Sequence, residues 1–240
     1  FSSELFLLSR LPITLPPLAS ATATRLLSLT QKMQSNHLAG TEVVIRENGS
    51  RYLGSDGTSG WVWQAGRVLA AELLANVDLG GLRILELGSG TGWLALTLAR
   101  AGAVVTATER PGALALLTRN VYGHLDRIAA DEATCARISV EVERCEWEDN
   151  AKVAGEFDIV VGSDLFYIVE SYPLRLNALL LNNCKRCILT WEERIPLEEA
   201  TFLVLAAAAG FAFDPPKQVG KNEVTNNRFW CLDMSFGRID

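Results

Sequence analysis

The chain has 240 residues, 49% hydrophobic and 21% charged, which suits one large packed α/β domain and excludes a disordered chain. Its formal net charge of −6 argues against a tight binder of nucleic-acid backbone, which needs concentrated positive charge, and is compatible with a basic protein partner. No apolar stretch approaches the ~20 residues needed to span a bilayer.

Residues 1–40 are expected to form an N-terminal arm. Between Glu4 and Glu42 there is no acidic residue, Ser and Thr are frequent, and Arg10, Arg25 and Lys32 are present. That composition resembles an organelle transit peptide. Leu11-Pro12 and Leu15-Pro16-Pro17-Leu18 punctuate it, however, so a helical arm on the domain is the preferred reading and organelle import stays open. Next, β-prone runs at 42–46 and 51–53 flank Asn48-Gly49, a pair that tolerates the positive φ of a type I′ turn, and this predicts a β-hairpin over 41–54. A helix is predicted over 63–76, with Val68, Leu69, Leu73 and Leu74 on one side.

From residue 82 strand and helix alternate. Strands are predicted at 83–87, 103–108, 138–142, 157–161 and 186–191, with two late ones near 211–213 and 229–234. Helices are predicted at 93–101, closed by Gly102, at 113–121, at 174–181, and at 197–209, ended by Gly210. Strands separated by helices of this length imply βαβ units and a parallel sheet. The expected fold is a Rossmann-like, doubly wound α/β domain over 41–240, a seven-stranded, mostly parallel sheet with helices on both faces. Its ligand-binding core is expected over 60–240.

The cysteines Cys135, Cys145, Cys184, Cys187 and Cys231 are odd in number and irregular in spacing, which speaks against a disulfide framework and for a reducing compartment. Cys184 and Cys187 form a C-x-x-C, but no second pair accompanies it and His37 and His124 are the only histidines. Cys187 also opens an apolar strand-like run. A structural role is therefore expected, and no metal site.

In doubly wound sheets the ligand binds beyond the carboxyl ends of the strands, where the strand order reverses. The loop after the first strand reads Glu86-Leu87-Gly88-Ser89-Gly90-Thr91-Gly92. Gly88, Gly90 and Gly92 let the backbone bend sharply and approach a ligand closely, and the next helix opens with unpaired N–H groups. A dinucleotide site wants a further glycine where this chain has the bulky Trp93. The Glu86 carboxylate repels a pyrophosphate but suits a ligand bearing an ammonium and a sulfonium, as S-adenosylmethionine does. Glu109, at the end of the second strand, supplies a carboxylate for two ribose hydroxyls. Each feature alone is weak, but placed in register on successive strands they reinforce one another.

The run over 84–92 resembles motif I of the class I (seven-β-strand) S-adenosylmethionine-dependent methyltransferases. The fuller set resembles the methyltransferase-like 21 group, the family-16 protein-lysine methyltransferases, over roughly residues 40–235. Gly60-Trp61-Val62-Trp63-Gln64 is similar to that family's tryptophan segment upstream of motif I, and Cys145-Glu146-Trp147 to its Trp-containing segment after the third strand. Gly162-Ser163-Asp164-Leu165-Phe166-Tyr167 resembles its D-x-x-Y signature, and Glu193-Arg194 a further recurring element. Gln64 departs from the Asp often found there, and residues 1–40 match nothing. The resemblance implies that Trp63, Glu86, Gly88, Ser89, Gly90, Gly92, Glu109, Arg110, Trp147 and Ser163 line the cofactor, whose spent form is S-adenosylhomocysteine. It places Asp164 and Tyr167 between the methyl group and an incoming lysine.

The chemistry of the residues agrees. A lysine ammonium, of ordinary pKa ~10.4, must lose a proton before its nitrogen attacks the methyl carbon, and burial helps it do so. Asp164 and Tyr167 can orient the amine by hydrogen bonds, and positioning supplies much of the rate. Plainer readings stand beside these: Trp61, Trp63 and Trp147 as core aromatics, Tyr167 as packing, and Glu192, Glu193 and Arg194 as a solvated surface pair.

The expectation is a monomeric protein-lysine N-methyltransferase acting on a protein substrate. It is expected in the cytoplasm, with the nucleus also open, and away from membrane and nucleic acid. One alternative is N-methylation of a small amine or metabolite, since the core fold places few limits on the acceptor. A non-catalytic S-adenosylmethionine-binding scaffold is the other. Leu165-Phe166, where a P-P-Y loop has two prolines, argues against methylation of bases or glutamine.

Overall fold

The computed structural model describes residues 43, 45, 47, 58–128, 138–148, 151–182 and 185–236. The expected arm over 1–40 lies outside these residues, as does most of the hairpin over 41–54. Of that hairpin, Val43 and Ile45 pack partly buried against the core, and the Glu47 carboxylate accepts the Val62 N–H at 3.0 Å.

In chain order the elements are α1 Gln64–Asn76, β1 Arg83–Glu86, α2 Trp93–Arg100, β2 Val104–Glu109, α3 Pro111–Ile128, β3 Ser139–Arg144, β4 Ile159–Ser163, α4 Tyr172–Leu181, β5 Arg186–Glu192, α5 Pro196–Ala208, β6 Phe211–Phe213, β7 Lys217–Lys221 and β8 Arg228–Phe236. The strands form one sheet in the order β3-β2-β1-β4-β5-β8-β6, with β7 also paired to β8. Neighbours among β1 to β5 are parallel, and β8 runs antiparallel to β5, β6 and β7. The strand order reverses between β1 and β4, so the ends of these two strands open the cleft that a doubly wound sheet offers a ligand.

The central strands β1, β4 and β5 are apolar on both sides, as a sheet buried on both faces requires. Ile84, Ile159, Val161 and Ile188 join α1, α2 and α3 through Leu69, Leu73, Leu96, Leu117 and Val121. Leu85, Val160, Cys187 and Leu189 point the other way, into α4 and α5 through Leu176, Leu179 and Phe202. Each such fully buried side chain contributes about 1.5–3 kcal/mol of transfer free energy. Cys187 is thus a core residue, and its C-x-x-C companion Cys184 lies outside the described residues. No helix among the described residues is long and apolar enough to cross a membrane.

Three differences from expectation have physical reasons. Helix α3 runs on to Ile128 instead of stopping at residue 121, because Val121, His124 and Ile128 stay on its buried face. Their burial outweighs the ~1 kcal/mol that an interior glycine such as Gly123 costs a helix. Strand β4 opens at Ile159, not Phe157, and the Asp158 carboxylate instead accepts the Arg83 N–H at 2.8 Å. Finally, β7 is an eighth strand. Its sequence is polar and only Val219 is buried, and it forms because β8 offers an edge that β6 covers only at residues 234–236.

Candidate active site

The glycine loop is braced from two sides. After β1 the chain turns through Gly88, Gly90 and Gly92 at φ values of 69°, 54° and 83°, a left-handed conformation that side chains resist. The Ser89 N–H donates to the Thr108 carbonyl at 2.8 Å, and its hydroxyl oxygen accepts the Thr108 N–H at 3.0 Å. The Thr108 hydroxyl in turn donates to the Glu86 carbonyl at 2.7 Å. From α3, the Asn120 amide donates to the Thr91 carbonyl at 2.9 Å.

Two carboxylates stand on either side of this loop. Glu86 is 2% exposed and its Oε2 has no hydrogen-bond partner. Burial raises its pKa to about 7 and the Glu109 charge adds to this, while hydrogen bonds from Ser89 and the Ala95 N–H oppose. Glu109 Oε2 accepts the Gly90 N–H at 2.8 Å, and Oε1 accepts the Arg110 N–H at 3.0 Å and the Ser59 hydroxyl at 3.3 Å. Burial pushes this carboxyl upward as well, against those hydrogen bonds.

A cavity of about 490 Å³ opens here, within the range of small-molecule sites. Trp63, Glu86, Gly88, Ser89, Gly90, Glu109, Arg110, Trp147, Ser163, Asp164 and Tyr167 all line it. Gly92 is the one expected residue that does not. It turns the chain into α2 with its Cα facing α3, where a Cβ would come within 2.8 Å of Leu117 Cδ1. Trp61 and Trp63 are not core aromatics, both being exposed, Trp63 at 40%, whereas Trp147 is half-buried and packs against the core; all three line the cavity.

Another wall of the cavity is built by the segment after β4. Asp164 takes φ 53°, a strained value for a residue with a side chain. Its N–H donates to the Thr190 carbonyl at 2.8 Å, which fixes the turn. Leu165 and Phe166 then drop into the core, where Phe166 meets Trp191 edge-on at 4.8 Å between ring centroids. Anchoring these two leaves Asp164 and Tyr167 facing the cavity. Asp164 is 7% exposed. Its Oδ1 accepts the Glu192 N–H at 3.0 Å, and Arg194 closes a two-pronged ion pair on the carboxylate. The Arg194 guanidinium also lies 5.4 Å from the Trp63 ring centroid.

Arg194 is therefore no solvated surface pair. Glu193 is half-buried on a separate pair, accepting from Arg228 at 2.6 Å and from the Trp230 indole at 2.7 Å. Glu192 Oε1 accepts from Asn222, Thr225 and Asn227 at 3.0, 2.5 and 3.2 Å, all from the turn between β7 and β8. Sequence reasoning missed Arg175, which is buried on α4 and lines the cavity. A usable signal existed: Arg175 falls on the same helical face as Tyr172, Leu176 and Leu179, where an arginine is out of place.

Comparison with known proteins places these features. A family model described as "Lysine methyltransferase" matches residues 40–208. The chain is similar to the protein N-lysine methyltransferase METTL21A of Danio rerio, 35% identical over 126 residues, covering 51% of this chain and 55% of that protein. It is also similar to the EEF1A lysine methyltransferase 3 of Mus musculus, 32% identical over 142 residues, covering 58% of this chain and 56% of that protein. The chain thus spans little more than half the length of these curated relatives. Among solved structures, the magnesium protoporphyrin IX methyltransferase of Synechocystis PCC 6803 with bound SAM superposes with a TM-score of 0.52 at 16% identity, covering 92% of this chain and 100% of that one. The ribosomal protein L11 methylase of Lactobacillus delbrueckii subsp. bulgaricus gives a TM-score of 0.50 at 17% identity, covering 73% and 79%. At such identities these likenesses speak to the fold.

Proposed function

The chain belongs to the lysine methyltransferase family, and from that membership we propose that it is an S-adenosylmethionine-dependent protein-lysine N-methyltransferase. The single observation that carries the reading is the buried Glu86 carboxylate, one oxygen unpartnered, in a cavity that also exposes the glycine loop and Asp164. A cationic ligand would give that oxygen a partner and offset the desolvation of the charge.

The residues fit the cofactor. Glu86 would hold its amino acid end, the glycine loop would pack against its backbone-facing side, Glu109 would take the ribose hydroxyls, and Trp147 would border the base. S-adenosylmethionine supplies an electrophilic methyl group on a sulfonium. Asp164 and Tyr167 line the same cavity, and there they would orient the acceptor amine. Trp61, Trp63, Tyr167 and Ile168 are exposed apolar residues around this cavity, which favours docking of a macromolecule over a small metabolite. Separately, we propose that the chain acts as a monomer in the cytoplasm or the nucleus, without a nucleic-acid partner.

The test is to incubate the protein with isotopically labelled S-adenosylmethionine and cell extract, then locate the label by mass spectrometry. Label on lysine side chains of protein is expected. Label confined to the small-molecule fraction overturns the lysine reading.

A further inference from the structure

Arg175 is 3% exposed, and the partners its guanidinium meets are neutral. Nη1 donates to the Ile168 carbonyl at 2.9 Å and to the Ser171 hydroxyl, while Nε has no partner. Three rings surround it, with centroids 4.8 Å away for Tyr167, 5.2 Å for Trp147 and 5.6 Å for Tyr172. Their π-faces stabilise a cation, but burying an arginine charge without a carboxylate hydrogen-bonded to it remains costly. Burial lowers the arginine's pKa, opposed by Tyr167, Tyr172 and, more weakly, Glu148 from the segment after β3. Glu170, Glu198 and Glu199 act on Tyr172. Asp164, the carboxylate at this end of the cavity, is already committed to Arg194. Arg175 therefore adds a fixed positive charge to the cavity wall, against the rings of Tyr167 and Trp147.

Resting on the amine methylation proposed above, we propose that Arg175 is a positioning residue, whose charge holds the bound acceptor amine as its free base while its stacking fixes the Tyr167 ring. The incoming ammonium gives its proton to solvent. The nitrogen lone pair then forms the N–C bond as the methyl–sulfur bond breaks, the electron pair staying on sulfur, and the methylated nitrogen carries the positive charge. A positive wall disfavours the ammonium before transfer and the methylammonium after it. It also opposes part of the charge that develops on nitrogen, so its benefit is confined to pH values where the amine would otherwise be protonated, and it helps expel the product.

The test compares the pH dependence of kcat for the wild-type chain, Arg175→Met and Arg175→Lys, with the protein most strongly labelled in extract as acceptor. The kcat profile reports groups in the enzyme–substrate complex. In Arg175→Met the acidic limb moves up by about one pH unit, so that kcat falls several-fold near neutrality and meets or exceeds wild type at high pH. Arg175→Lys keeps the wild-type limb with a loss that does not vary with pH. A Met profile that superimposes on wild type after scaling overturns the proposal, and so does a Lys profile shifted as far as that of Met. Should Arg175→Met lose cooperative melting, Arg175→Gln keeps a donor for the Ile168 carbonyl and carries the same expectation. An independent arm measures n-butylamine binding to S-adenosylhomocysteine-loaded protein from pH 7 to 9. Affinity rises steeply with pH in wild type and much less in the variant, and equal slopes overturn the proposal. If wild type labels no protein, the protein-lysine reading fails, and the n-butylamine arm still decides the role of Arg175.

Discussion

Arg194 grips Asp164 with both prongs of its guanidinium, Nη1 to Oδ1 at 2.9 Å and Nη2 to Oδ2 at 3.0 Å. Asp164 is buried, whereas about a third of the Arg194 side chain is exposed, 34%. Removing the arginine strands a carboxylate in a poorly solvated place, and water reaching the vacated position softens the loss. Arg194→Ala is expected to cost about 1–2 kcal/mol in a urea titration and to lower methyl transfer at least tenfold. Arg194→Lys recovers only part of this, because an ammonium cannot match the two carboxylate oxygens together. Full activity in Arg194→Ala would remove the pair from the functional machinery.

Asp164 also occupies the left-handed region, which Asn tolerates and Ala resists. Asp164→Asn is expected to fold nearly as stably as wild type, while Asp164→Ala loses about 1 kcal/mol more in the same titration. Both are expected to lose methyl transfer, since neither supplies the charge that holds Arg194. Retained turnover in the Asn variant would show that the carboxylate charge is dispensable.

Glu86 couples stability to pH. Its folded-state pKa of about 7 lies above the ordinary 4.5, so the folded protein keeps a proton that the unfolded chain releases between those values. Stability therefore falls as pH rises through that window, by about 3 kcal/mol from this group. Glu86→Gln is expected to stabilise the ligand-free chain at pH 8, with the gain vanishing near pH 4.5, and to weaken S-adenosylmethionine binding in calorimetry. Equal stability of the two proteins at pH 8 would refute the burial argument.

Glu109 ties the loop to β2 through the Gly90 N–H and faces the cavity with the rest of its carboxylate. Glu109→Ala is expected to weaken S-adenosylmethionine binding about 10- to 100-fold in calorimetry, the worth of one or two hydrogen bonds to a charged group. It also speeds amide hydrogen exchange at Gly90. Unchanged affinity would remove the ribose assignment.

Much of this architecture is written in local pattern. The strand before Glu86, the glycines after it and the carboxylate at Glu109 lie within a single βαβ unit, so spacing along the chain reports spacing in space. Leu165-Phe166 was legible as apolar, and its consequence, Asp164 and Tyr167 turned to the cavity, follows from burying both. Strand β7 was illegible because Lys217, Gln218, Gly220 and Lys221 carry no apolar alternation, and a partner strand decides their pairing. Arg175 escaped because its meaning depends on Trp147 and Tyr167, which arrive from two other segments. The grip of Arg194 on Asp164 joins residues thirty positions apart, beyond the reach of periodicity.

The Glu192 carboxylate gives the turn between β7 and β8 an unexpected vulnerability. That turn is a surface connection, the kind of place where proteases nick and where tags are inserted. Here Asn222, Thr225 and Asn227 hold Glu192, whose own N–H and neighbour Arg194 hold Asp164. A backbone cut at this exposed turn is expected to loosen Glu192 and, through the Glu192 N–H, Asp164, so chain continuity at the rim bears on the geometry of the cavity.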